Sequence, residues 1–79
     1  MDMLRELDTV ALTRDLPDYG LTAGDVGAVV HRYPDGAAFE VEFVTAAGET
    51  VALVTLTPRD VRPLLGREIL HVRELVLTA

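Results

Sequence analysis

The chain has 79 residues and no cysteine, so it forms one domain near the lower size limit for a disulfide-free core and can carry no disulfide, thiolate zinc site or cysteine nucleophile. Thirteen acidic side chains against seven basic ones, all arginine, leave a net charge of −6, the opposite of the clustered positive charge that phosphate-backbone binding needs; nucleic acid is disfavoured as a partner. An apolar fraction of 49% with only 25% charged residues is rich for so small a body, which predicts that some apolar surface is shared with a partner.

Residues 1–7 carry Met3, Leu4 and Leu7 at helical spacing, a segment too short to hold a helix alone and expected to be a lead-in packed on the domain. Thr9 to Thr13 is rich in Val and Thr and reads as the first strand. Arg14 to Ala23 contains Asp15, Pro17, Asp18 and Gly20, all turn-favouring, and predicts a long irregular loop. Gly24 to His31 gives a second strand entered through two glycines, where the backbone bends or lies close to a neighbour. Pro34-Asp35-Gly36 is a strong turn signal.

The next stretch organises the rest. Phe39, Val41 and Phe43 alternate with Glu40 and Glu42, a period of two that places the rings on one face and the carboxylates on the other. After a short loop holding Gly48, Val51 to Leu56 returns as a β-branched strand, so the two should form an antiparallel hairpin. In that returning strand Val51, Leu53 and Thr55 share one face and Ala52, Val54 and Leu56 the other. Both faces are largely apolar, and a small barrel buries only one of them.

Thr57 to Val61 reads as a single helical turn, with Thr57 as cap, Pro58 at the first position and Asp60 in the first turn. Val61 to Leu65 is expected to close the domain as a short strand that Pro63 confines to an edge. The order is strand, long loop, strand, tight turn, strand, turn, strand, helical turn, short strand. It predicts an all-β, SH3-like five-stranded barrel over residues 8–65, with an OB-type barrel as the runner-up. Residues 66–79 form a C-terminal extension that fits neither template cleanly, an extra strand or a short helix, with β-branched content favouring the strand. Such a surplus apolar segment covers an edge of its own sheet or adds to another chain.

These residues resemble the bacterial domain-of-unknown-function family 4926. The pieces that carry the resemblance are Leu7-Asp8-Thr9-Val10-Ala11-Leu12-Thr13, Asp15-Leu16-Pro17 with Gly20-Leu21, Gly24 with Val26-Gly27 and Val29-Val30, Phe39-Glu40-Val41-Glu42-Phe43, and Gly48 followed by Thr55-Leu56. The resemblance covers Leu7 to Leu65 and implies an SH3-like small barrel without an established catalytic residue. It also implies a small protein found as the companion of another, in an arrangement that looks like toxin and antitoxin. Ala23 to Val30 is similar, over a shorter span, to the KOW motif of ribosomal and transcription-elongation proteins; its glycines serve the strand bend of any SH3-like barrel, so the structural reading is preferred.

No catalytic constellation, cofactor site or metal site is expected. Serine is absent, which rules out serine triads, and no glycine-rich loop has the lysine of a phosphate cradle. His31 and His71 are the only imidazoles and read as surface or interface residues. Glu40 and Glu42 lie about 7 Å apart by strand geometry, which a solvated strand face explains better than a carboxylate pair at work. A polyproline groove of the eukaryotic SH3 kind needs an aromatic-lined surface, and Tyr19 and Tyr33 do not supply one.

The expected function is a non-catalytic protein-binding small barrel, antitoxin-like or accessory. Its contacts are expected at Glu40, Glu42, Val54, Ile69, Leu70, Val72 and Leu75, with a basic partner protein or a second copy. The alternative is a KOW-like RNA- or ribosome-associated module using Arg14, Arg32 and Arg59. No apolar run approaches a membrane span, and Asp2, Arg5, Glu6 and Asp8 do not fit a signal peptide, so the expected address is a prokaryotic cytoplasm.

Overall fold

The structure, a computed structural model, describes residues 4–75. Five strands form one antiparallel sheet: β1 (Thr9–Leu12), β2 (Val26–Arg32), β3 (Phe39–Val44), β4 (Thr50–Leu56) and β5 (Val61–Pro63), hydrogen-bonded in the order β4-β3-β2-β1-β5. Single turns of 3-10 helix occupy Pro17–Tyr19 and Pro34–Gly36. This is the predicted all-β, SH3-like architecture.

The inward face follows from the alternation in the strands. Phe39, Val41 and Phe43 of β3 are buried, as are Val10 and Leu12 of β1, Val29 of β2, Val54 and Leu56 of β4, and Val61 of β5. Because one face of five strands gathers into a single cluster, the sheet curls around it, and Leu4, Leu16 and Leu21 join that cluster from outside the strands. Leu4 reaches the core from the lead-in through a turn in which Asp8 accepts the Arg5 N–H at 2.8 Å, while the Leu7 N–H donates to the Val29 carbonyl at 2.6 Å.

Two β-bulges set which side chains face in. Between Val29↔Val41 and His31↔Glu40 the register slips past Val30, which is left on the surface. Between Phe43↔Ala52 and Val44↔Thr50 it slips past Val51, so Val51 and Ala52, though consecutive, both pack against the core. The second apolar face expected for β4 therefore shrinks to Leu53, which is 57% exposed, since Val51 has turned inward and Thr55 is polar. One glycine is fixed by close approach. A Cβ on Gly27 would lie 2.7 Å from Val41 Cγ1, 2.8 Å from the Phe43 ring and 2.9 Å from the Glu42 carbonyl oxygen.

Several boundaries differ from expectation. β2 starts at Val26 and not at Gly24, because Thr22 to Asp25 closes as a turn, with the Asp25 N–H donating to the Thr22 carbonyl at 3.0 Å. The segment after β4 is a hydrogen-bonded turn rather than a helical one. Its Thr57 hydroxyl does accept the Arg59 N–H at 3.3 Å, as a cap would, but the Asp60 carboxylate folds back to take the Thr57 N–H at 2.9 Å. In the turn between β2 and β3, Asp35 joins Gly36 in the left-handed region, with φ of 66° and 65°.

The largest correction concerns the C-terminal extension. Among the described residues of this segment, 66–75, neither a strand nor a helix forms; residues 76–79 lie outside the described residues. Pro63 ends β5 against Val10 and has no N–H, so the chain cannot extend the ladder, and a turn at Leu65–Glu68 redirects it across the body.

Candidate partner-binding surface

The tail is held by two arginine–carboxylate clamps. The first is local: Arg62 Nη1 and Nη2 donate to Glu68 Oε1 and Oε2 at 2.8 and 2.7 Å, and the Leu65 N–H donates to the same carboxylate at 2.7 Å. The paired Arg62 guanidinium, helped by that N–H, draws the Glu68 carboxyl down from 4.5 to about 2. The second clamp joins the tail to the far side of the molecule. Arg73 Nε and Nη2 donate to Asp25 Oδ1 and Oδ2 at 2.8 and 2.5 Å, and Nη2 also donates to the Gly20 carbonyl at 3.0 Å.

The receptor for Arg73 is built by the long loop between β1 and β2. A bridge between Leu16 and Leu21 pinches that loop into a small hairpin, and Gly20 turns it with φ of 71°, a conformation in which glycine has no Cβ to clash. Asp15 Oδ1 accepts the Ala23 N–H at 2.8 Å, and Asp25 Oδ2 accepts the Thr22 N–H at 2.8 Å. The carboxylate of Asp25 is thus oriented by its own loop before any arginine arrives. The Arg73 guanidinium, first among several donors, holds its carboxyl below the usual range, against the opposing effect of burial.

Between the clamps the segment Ile69 to Val72 makes no hydrogen bond to the body among the described residues. Ile69 is 93%, Leu70 70% and Val72 88% exposed. Leu75 instead turns toward the body, where its Cδ1 lies 4.0 Å from the place a Cβ on Gly20 would take. Beside the tail runs an open groove of about 500 Å³, lined by Val26, Phe43, Val51, Val72 and Leu75 and by the Asp25–Arg73 pair.

The outer face of the hairpin carries the predicted carboxylates. Glu40 Oε2 accepts the Tyr33 hydroxyl at 2.7 Å and the Thr55 hydroxyl at 2.5 Å, and Glu42 accepts the Thr50 hydroxyl at 2.7 Å. Those hydroxyls, Thr55 first, hold the Glu40 carboxyl low, while the neighbouring carboxylate raises the Tyr33 phenol. His31 stands opposite Glu40 in register, its ring edge against Tyr33 at 4.7 Å and its Nδ1 3.8 Å from Glu6. The face is an anionic, hydroxyl-supported strip rather than a cleft.

Of the residues expected to touch a partner, Ile69, Leu70 and Val72 form an exposed ridge, Leu75 lines the groove, and Glu40 and Glu42 lie half-buried on the hairpin's outer face. Val54 is a correction: it is only 5% exposed and sits in the core opposite Val41, on the inward side of β4. Arg14 is engaged with Asp60 at 2.7 Å, Arg32 is half-buried and Arg59 is exposed. Sequence reasoning missed Asp25, Gly20 and Arg73 as one constellation. A side-chain pair 48 residues apart leaves no periodic trace.

The sequence pattern of one family, described as Domain of unknown function (DUF4926), matches residues 6–63, from the end of the lead-in through β5. No curated protein and no solved structure matches the chain. The chain belongs to the DUF4926 family.

Proposed function

We propose that this member of the DUF4926 family is a non-catalytic protein-binding barrel, an accessory or antitoxin-like subunit, that docks a basic partner protein in a bacterial cytoplasm. The observation that carries the reading is the ridge of Ile69, Leu70 and Val72, three large aliphatic groups fixed in water by flanking arginine–carboxylate clamps. Each such side chain, once covered, contributes about 1.5–3 kcal/mol, which makes a short ridge a strong anchor for an interface. The net charge of −6 and the anionic strip at Glu40 and Glu42 supply the steering, since an acidic surface raises the encounter rate with a basic partner.

The test is capture from native host lysate with tagged wild-type protein and with the double variant I69D/L70D, each with and without nuclease. The expected result is one stoichiometric, basic, nuclease-resistant protein held by the wild type and lost by the variant. Equal capture by both proteins would sink the ridge. Ribosomal proteins shed on nuclease treatment would move the reading to an RNA-associated module.

A further inference from the structure

We infer that the groove beside the tail is a receptor for an arginine-bearing extended segment of the partner protein, and that the chain's own residues 71–75 occupy it in cis as a weaker substitute. The inference rests on the partner-binding reading above and names the chemistry of what is bound.

Three observations lead there. First, the arginine site is preformed: Asp25 is oriented by the Thr22 N–H at 2.8 Å, and the Gly20 carbonyl stands beside it, so the fork of donors on a guanidinium meets three acceptor atoms. Lysine, with a single compact ammonium, cannot span them in the same way. Second, the tail is held to the body by side chains. Beyond the Arg62–Glu68 clamp, Arg73 supplies every hydrogen bond that residues 69–75 make to the body among the described residues, so releasing one side chain frees that part of the strap. Third, with Arg73 seated, an open groove of about 500 Å³ remains beside the tail, lined by Val26 and Val51 of the body and by Val72 and Leu75 of the tail. Val26, 38% exposed, and the half-buried Val51 face that space and still have dispersion contacts and burial to gain.

These observations also choose the occupant. The tail of a second copy would bring the same side chains, leave the same volume unfilled and incur the entropy of association besides. A foreign segment with arginine in the Arg73 position and a larger apolar group two residues on gains the same clamp and fills the groove. The occupied cis tail then acts as a threshold: partner affinity is reduced by the fraction of molecules in which Arg73 is seated.

The test uses full-length protein and fluorescein-labelled peptides of residues 68–75, read by fluorescence anisotropy. The peptides are the native sequence, one carrying Leu75→Phe, and one carrying Leu75→Phe with Arg73→Ala. The proteins are wild type, Arg73→Ala and Asp25→Asn, the last retaining an oxygen for the Thr22 N–H. The Leu75→Phe peptide should bind the R73A protein about tenfold tighter than the wild type, as expected for removal of a cis competitor seated in about nine molecules in ten. Binding should vanish with the Asp25→Asn protein and with the Arg73→Ala peptide. Equal affinity for wild-type and R73A protein would refute cis competition. Native and Leu75→Phe peptides binding R73A alike would make the occupant a second copy and overturn the foreign-segment assignment. Partner capture that is lost with I69D/L70D yet unchanged with D25N would leave the ridge standing and remove the groove.

Discussion

Gly27→Ala is the substitution that tests the packing argument most directly. Val10 of β1 faces Gly27 across the ladder, and β3 crosses close above it. The added methyl would meet Val41 Cγ1 at 2.7 Å, the Phe43 ring at 2.8 Å and the Glu42 carbonyl oxygen at 2.9 Å. The two side chains could turn, but both are buried in the core, and the carbonyl belongs to the backbone of β3, so relief requires the sheet itself to shift. Overpacking of this kind costs about 1–3 kcal/mol, offset by about 0.4–1 kcal/mol because alanine restricts the unfolded chain more than glycine. A net loss of about 1–2 kcal/mol corresponds to a fall in Tm of about 5–15 °C for a domain of this size. Gly66→Ala is the matched control. Nothing lies within 4 Å of its Cβ position and its φ is not positive, so only the unfolded-state gain remains and Tm should rise slightly. Thermal unfolding followed by circular dichroism reads both. A Gly27→Ala protein that melts at or above the wild type would refute the close approach of β2 and β3.

Other expectations concern the polar contacts. Asp60→Ala removes a nearly buried acceptor of the Thr57 N–H and hydroxyl and should cost about 1–3 kcal/mol in urea unfolding, whereas Arg14→Ala, at the exposed end of the same cluster, should cost about 0–1 kcal/mol. Equal losses would show that the ion pair and not the turn holds the site. For Glu68 the folded carboxyl titrates below the unfolded value, so its clamp contributes fully above about pH 4.5 and is lost as pH falls toward about 2. Its side-chain carboxyl carbon should titrate near pH 2 by NMR, and Arg62→Ala should return the midpoint most of the way to 4.5; a midpoint already near 4.5 in the wild type would mean that the clamp is not populated.

The family assignment and the residues it spans stop at β5, while both clamps reach beyond it, so the feature proposed to bind lies across the boundary of the matched segment. The sheet offers a platform, and the tail adds an arginine latch that is partly open to solvent, so its strength falls with salt. A partner that engages the platform must therefore act against a contact that the chain makes with itself.

The fold was legible in the sequence because the strands write their burial as a period of two. Phe39, Val41 and Phe43 against Glu40 and Glu42 fixed one strand and its faces, and proline and glycine marked the turns around it. The same rule failed at Val51 and Val54. Alternation gave the spacing of β4 but not which of its faces is buried, and the bulge at Val51 packs two consecutive, partly buried residues against the core, a choice made by pairing with β3. The tail was also beyond local reading. Its content of Val, Ile and Leu favours a strand, but Pro63, with no N–H to donate, ends the β5 ladder before the tail can continue it. What replaces the ladder is Arg73 on Asp25, a contact between distant charged residues that only the closed fold brings within 3 Å. Periodic burial is a property of short stretches and can be read along the chain; the meeting of an arginine, a carboxylate and a left-handed glycine depends on three-dimensional closure and exists only in the tertiary structure.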